Sequence, residues 1–144
     1  MTEAELRDKI YAVTDANYLV VVATVDEQGE SPKLRLMAPA REGDTFWFNS
    51  TQAAGAKLGQ LRQRPAAELF FTPDGYRRCV RACGDMLLIT DPTVKQHAFA
   101  LFMPGQQRLI GSPEAPKFNL LQFTTTRYEY LDHDASDFHT LRLT

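Results

Sequence analysis

The segment that decides the fold reads SPKLRLMAPAREGDTFWFNSTQAAGAKLGQLRQRP, residues 31–65. It contains two β-type runs, residues 32–38 and 45–48, and between them Glu42-Gly43-Asp44 predicts a tight turn. Small residues then lead into a helical pattern over 53–64, which ends at a proline. The segment therefore predicts a strand, a turn, a second strand and a helix in direct succession.

The same segment offers groups that suit an anion. A helix that begins near residue 53 presents free backbone N–H groups and the positive end of its dipole. Ser50 and Thr51 add hydroxyl donors, while Arg35 and Lys57 add positive charge. From spacing alone, a solvated Lys57 and a surface ion pair for Arg35 explain these residues equally well, so both interpretations stay open.

Hydrophobic periodicity predicts the remaining elements. The chain begins with a helix over 3–16, which has a capping box from Thr2 and Glu5, and continues with strands over 18–25, 66–72 and 76–89. A helix over 93–102 follows Asp91 as its N-cap. The last part is a loop over 103–116, a strand over 119–131 and a polar tail over 132–144. Gly84 inside the long strand indicates a bulge. About six strands, joined mainly by hairpins, favour closure into an antiparallel barrel within one domain of residues 1–144.

Composition excludes several classes of protein. The chain has 144 residues with a net charge of −2, so it has no bulk attraction for nucleic acid or an anionic membrane. No apolar run approaches the roughly 20 residues of a membrane span, and no secretory signal precedes the first helix. We therefore expect a cytoplasmic protein with no membrane partner and no nucleic-acid partner.

Cys79 and Cys83 lie four residues apart on one predicted strand. Four residues of strand span about 13 Å, which is beyond the reach of a disulfide. Two cysteines are also too few for a structural zinc site. We expect both to be free thiols.

Two further patterns are weaker. His133 and His139 lie among acidic residues near the C-terminus, but their spacing matches no metal motif, so no metal is predicted. The basic strand residues Arg77, Arg78 and Arg81 suggest single-stranded nucleic acid only weakly, given the negative net charge. No local Ser/His/Asp or Cys/His pattern predicts a catalytic residue.

The ordered set formed by residues 32–37, 46–50 and 57–65 resembles the pyridoxamine 5′-phosphate oxidase-like FMN-binding split-barrel superfamily. The resemblance covers residues 5–130 and is strongest to the short branch that includes general stress proteins. It implies a mainly β (α+β) fold, an antiparallel split β-barrel of about six strands with flanking helices. It also implies FMN at a homodimer interface, with contacts from Arg35, Leu36, Met37, Ala38, Phe48, Asn49 and Ser50 and a phosphate contact from Lys57.

The resemblance favours an FMN-dependent oxidoreductase that acts on an unknown small molecule or on NAD(P)H. Vitamin-B6 oxidases end in a basic cluster, whereas residues 132–140 are acidic here, so pyridoxine oxidation is not expected. A non-enzymatic flavin-binding or stress-associated protein is the alternative, as is a split barrel that binds haem or a deazaflavin.

A barrel this small has too little interior to enclose FMN, which predicts that a second copy completes the site. The aromatic residues near Phe46, Trp47, Phe99 and Phe102 give apolar surface suited to such an interface. Core packing is nevertheless expected for at least two of Phe99, Phe102 and Phe118.

Overall fold

The computed structural model describes residues 1–25, 31–50 and 66–143. Its helices are α1 (Glu3–Ala16), α2 (Pro92–Phe99) and α3 (Pro104–Ile110). Its strands are β1 (Val20–Val25), β2 (Pro32–Met37), β3 (Ala40–Glu42), β4 (Thr45–Asn49), β5 (Ala66–Phe71), β6 (Arg78–Ile89), β7 (Leu120–Asp132) and β8 (Asp137–Arg142). The helix predicted over 53–64, which includes Lys57, lies outside the described residues.

The strands form one curled antiparallel sheet with the order β2-β1-β5-β6-β7-β4-β3. β7 is long enough to serve two partners along one edge, because residues 120–124 pair with β4 and residues 127–132 pair with β8. The arrangement is a half-barrel with flanking helices, which confirms the mainly β split-barrel prediction. None of the helices in the described ranges is long and apolar enough to cross a membrane.

β4 is buried on both faces, and this divides the core into two clusters. Phe46 and Phe48 point to the side covered by α1, where they pack with Ile10. Trp47 points to the other side, where it packs with Ile110 of α3 and with Phe118. Alternation along β4 thus fixes one helix layer on each side of the strand.

Several local predictions are confirmed. Thr2 and Glu5 form the capping box of α1, and the Asp91 side chain caps α2. The β6–β7 register shifts between Cys83 and Gly84, which is the predicted irregularity in the long strand. Only glycine fits there, because a Cβ atom at residue 84 would collide with the Thr124 carbonyl oxygen. Both Cys79 and Cys83 are free thiols.

The prediction of a loop over 103–116 is wrong, because residues 104–110 form α3. Pro104-Gly105 suggested a turn, but proline is well tolerated at the first helical position, and Pro104 occupies that position here. Ile110 then supplies the packing, since its side chain is buried against Phe102 and Phe118.

The predicted polar tail over 132–144 is also wrong, since residues 137–142 form β8 against β7. Only Leu141 of that strand reaches the core, so hydrophobic alternation along the segment is weak. β3 is a further short strand that the sequence did not predict. With β3 and β8, the described residues form eight strands rather than the expected six or so.

The predicted dimer surface does not exist in that form. Phe46, Trp47 and Phe102 are buried within this chain, at 0%, 4% and 3% exposure. Phe99 packs edge-on against Phe118. Phe46, Trp47 and Phe102 therefore belong to the core of the single chain rather than to an exposed surface, whereas Phe99 is half-buried.

Candidate functional site

A cleft of about 440 Å³ opens where β2, β4 and α3 meet. Its volume falls within the range of small-molecule sites. Apolar and polar side chains alternate around it, and Arg35 is its single charged residue within the described ranges. The lining residues are Leu19, Arg35, Leu36, Met37, Ala38, Asn49, Ser50, Gln106, Leu109 and Ile110.

β2 contributes one wall, and its pairing with β1 sets which way each side chain points. Met37 lies opposite Val20 and Arg35 opposite Val22, so both share the buried face of that pair. Leu36 therefore points to the other face, where its side chain is 67% exposed. An apolar side chain this exposed at the mouth of a cleft is available to a ligand or a partner.

Arg35 is held at the inner side of this wall. Its Nη1 donates a hydrogen bond of 2.7 Å to the Thr24 hydroxyl on β1. Burial lowers the pKa of the Arg35 guanidinium from its usual value, yet an arginine stays protonated in proteins. The cleft therefore has a fixed, partly desolvated positive charge that suits an anionic ligand group.

The end of β4 forms the floor and is fixed by a pair of amide side chains. The Asn49 Oδ1 accepts a 2.9 Å hydrogen bond from the Asn119 backbone N–H. In return, the Asn119 Nδ2 donates to the Ser50 carbonyl at 2.8 Å, and the Ser50 N–H donates to the Asn119 carbonyl at 3.0 Å. This local network holds Asn49 and Ser50 in one orientation beside the cleft.

α3 supplies the opposite wall. Ile110 anchors the helix in the core, and the Gln107 Nε2 donates a 3.0 Å hydrogen bond to the Phe99 carbonyl of α2. Gln106 lies four residues before Ile110 and thus on the same helix face, towards the cleft. Its Oε1 is buried and has no hydrogen-bond partner among the described residues. A buried acceptor without a donor costs about 1–3 kcal/mol, so a donor at this position would be stabilising.

Six of the eight residues named from the sequence line this one cleft: Arg35, Leu36, Met37, Ala38, Asn49 and Ser50. Phe48 does not, because its ring is fully buried on the α1 side of β4. Lys57 lies outside the described residues. Sequence reasoning missed the lining residues Leu19, Gln106, Leu109 and Ile110; the proline at the start of α3 was the available signal.

The other charged clusters have structural partners. Arg77, Arg78 and Arg81 pair with Asp134, Asp74 and Glu129, respectively. The His139 Nε2 lies 2.7 Å from an Asp137 carboxylate oxygen, and the His133 ring stacks on Tyr76. Within the described ranges, no group of three or more His, Cys, Asp or Glu residues is arranged to hold a metal ion.

The curled sheet, the two helix layers and the edge cleft define a split β-barrel protein. The chain belongs to the pyridoxamine 5′-phosphate oxidase family, whose profile matches residues 6–132. No curated protein has a significantly similar sequence.

Solved structures share the fold at low sequence identity. A Clostridium acetobutylicum protein related to general stress protein 26 superposes with a TM-score of 0.82 at 18% identity, covering 99% of this chain and 97% of its own. A pyridoxamine 5′-phosphate oxidase-related, FMN binding protein from Nostoc punctiforme has a TM-score of 0.64 at 16% identity, covering 98% and 94%. A heme binding protein from Mycobacterium smegmatis has a TM-score of 0.78 at 10% identity, covering 99% of this chain and 60% of its own.

Proposed function

We propose that this protein binds FMN in the cleft between β2, β4 and α3, and that it is a flavin-dependent oxidoreductase. One observation carries the proposal. The family resemblance selected flavin contacts from two separate strands, residues 35–38 and 48–50, and six of those residues line the same cleft. The similarity of the fold to an FMN binding protein from Nostoc punctiforme supports the same ligand.

The chemistry of the cleft fits FMN. Arg35 offers a positive charge for a phosphate, and Asn49 and Ser50 add polar groups at the end of β4. Leu36 and Leu109 provide the apolar surface that a three-ring system needs. Lys57 remains the proposed phosphate ligand from the adjacent segment, and Phe48 supports Asn49 from the core rather than touching the flavin with its ring.

Haem fits the same cleft less well. Protein ligands to haem iron are His, Cys, Met or Tyr side chains. Among the described lining residues, Met37 alone is of these types, and its side chain is buried at 7% exposure on the inner face of β2. The donor set therefore favours a flavin over haem.

When bound, FMN supplies hydride or electron transfer. The protein's own part is to bind and orient it, since the described lining residues include no carboxylate, histidine, tyrosine or cysteine that could move a proton. The electron donor we propose is NAD(P)H or a small reduced molecule. The acidic stretch over 132–140 argues against a vitamin-B6 phosphate as substrate.

A second copy of the chain is the proposed cover of the flavin. The cleft has walls on β2 and α3 but opens outward past Leu19, Leu36 and Leu109, which are 45%, 67% and 61% exposed. Exposed leucines grouped around a ligand site are typical of a surface that a partner buries.

Titration of the purified protein with FMN tests the proposal. We expect one FMN per chain, and NAD(P)H should bleach the flavin absorbance under anaerobic conditions. Arg35→Gln should weaken FMN binding roughly tenfold, the value of one charge-assisted hydrogen bond. Arg81→Gln is the matched control, because Arg81 pairs with Glu129 away from the cleft.

Three outcomes separate the functions. If FMN binds but neither NAD(P)H nor a small reduced molecule reduces it, the protein is a passive flavin carrier, which contradicts the oxidoreductase proposal. Haemin that binds in place of FMN contradicts the choice of cofactor. Equal loss of affinity in Arg35→Gln and Arg81→Gln contradicts the location of the site.

A further inference from the structure

We propose that Gln106 is a specificity-determining residue that reads the imide edge of a bound flavin and so selects flavin over haem. The inference rests on the proposed function and adds a residue from α3, a helix that supplied none of the flavin contacts named from the sequence. It starts from an unpaired group: the Gln106 Oε1 is buried beside the cleft without a hydrogen-bond donor among the described residues.

The packing of α3 fixes the position of Gln106. α3 is docked through Ile110, which is 1% exposed, and through the hydrogen bond from Gln107 to the Phe99 carbonyl. Gly111 ends the helix with a φ of 101°, a conformation that favours glycine. Gln106 is therefore held beside the cleft by a fixed backbone, and its side chain needs only a rotation to meet a ligand.

The chemistry of a carboxamide decides which ligand it recognises. A glutamine side chain has an acceptor oxygen and a donor NH₂ group side by side. The pyrimidine edge of an isoalloxazine has the complementary set, an N3–H donor flanked by two carbonyl acceptors. The periphery of haem offers methyl, vinyl and ionised carboxylate groups, none of which donates a hydrogen bond to Oε1.

Selectivity for flavin over haem follows because a buried amide oxygen without a hydrogen-bond donor costs free energy. A site with a buried hydrogen-bonding group discriminates strongly against a ligand that lacks the complementary group. Flavin would satisfy Gln106, whereas haem would occupy the cleft and leave the Oε1 buried without a donor. A deazaflavin keeps the same imide edge, so Gln106 does not separate it from FMN.

The test pairs a protein variant with a ligand variant. FMN, 3-methyl-FMN and haemin are titrated into the wild-type protein, into Gln106→Leu and into Gln96→Leu. The last is a matched control, because it makes the same chemical change at an exposed position on α2. Dissociation constants come from flavin fluorescence and haem absorbance, so no turnover is needed.

We expect the wild-type protein to bind FMN roughly tenfold more tightly than 3-methyl-FMN, because the methyl group removes the N3–H donor. Gln106→Leu should lose most of this preference and shift the ratio of FMN to haemin affinity roughly tenfold towards haemin. Gln96→Leu should behave as wild type.

Wild-type protein that binds FMN and 3-methyl-FMN equally well overturns the inference and leaves the proposed function standing. The comparison of FMN with 3-methyl-FMN uses only the wild-type protein, so it tests the role of Gln106 even where Gln106→Leu fails to fold. Wild-type protein that does not bind FMN at all contradicts the proposed function and the role of Gln106 together.

Discussion

Lys57 is the residue that links the sequence pattern to a phosphate, and its role stays a prediction. Lys57→Ala should weaken FMN binding about 10- to 100-fold, because a charge-assisted contact to phosphate is lost. Riboflavin, which lacks the phosphate, should bind both proteins equally. Fluorescence titration with the two ligands measures this difference.

The control for Lys57 is Lys117→Ala, which removes an exposed lysine outside the cleft lining. The phosphate assignment is contradicted by an unchanged FMN affinity in Lys57→Ala. An equal loss of riboflavin affinity would indicate damage to the ring site or the fold instead.

Single residues of the site were predictable where they belong to a continuous run. Residues 35–38 and 49–50 come from two strands, or their ends, that the sequence predicts directly. Gln106 was not predictable, because its contact with the cleft requires a helix in a Pro-Gly segment and tertiary docking of that helix through Ile110. Local patterns do not encode such long-range packing.

At the scale of elements, Asp44 joins three parts of the fold. It lies in the turn between β3 and β4 and accepts hydrogen bonds from Arg7 and Tyr11 of α1 and from Tyr128 of β7. The three donor–acceptor distances are 2.7, 2.8 and 3.0 Å. Burial alone would raise the pKa of Asp44, but hydrogen bonds from Tyr11, Tyr128 and Arg7 outweigh it and hold that pKa below its usual value of 3.8.

Asp44→Asn should lower the free energy of unfolding by about 2 kcal/mol at neutral pH, the value of a charge-assisted hydrogen bond in this network. A carboxyl whose pKa is lower in the folded state stabilises the fold above its unfolded pKa and loses that effect as pH falls through the folded pKa. The stability gap between the two proteins should therefore be constant near pH 7 and shrink below about pH 4.

Urea unfolding at several pH values measures that gap. Asp8→Asn on α1 serves as the control, because it makes the same charge change at an exposed position and should alter stability by less than about 0.5 kcal/mol. A gap that persists unchanged at acid pH would show that the carboxylate charge of Asp44 is not the source of the effect.

Elements were predicted well where several core residues recur at the regular spacing of a helix or strand. α1 has Leu6, Ile10 and Val13 in the core and a complete capping box, so the sequence alone defines it. β8 has one core residue, Leu141, and is held largely by backbone pairing with β7. Backbone pairing leaves no periodic signal in the sequence, which explains why the segment was interpreted as a tail.

At the scale of the whole molecule, several exposed apolar side chains lie at the cleft or in a second cavity, whereas Tyr76, Leu87 and Phe138 are exposed but line neither. Leu19, Leu36 and Leu109 line the proposed flavin cleft. A neighbouring cavity of about 420 Å³ includes the exposed Tyr18 and Met103. We call these exposed side chains the rim, and they replace the buried aromatic rings as the proposed dimer surface, because they are accessible to a partner.

We therefore expect a homodimer in which each flavin is covered by the partner copy. Sedimentation equilibrium at micromolar concentration should give about twice the chain mass of 16.3 kDa. Leu109→Glu should shift this to the monomer mass and weaken FMN binding at least tenfold, because a buried, unpaired carboxylate is costly in an interface. Leu87→Glu is the matched control: Leu87 is 48% exposed on β6 and lines neither cavity of this rim. A dimer disrupted by Leu87→Glu but not by Leu109→Glu would place the interface elsewhere on the sheet, and a monomer that binds one FMN per chain would contradict the shared site itself.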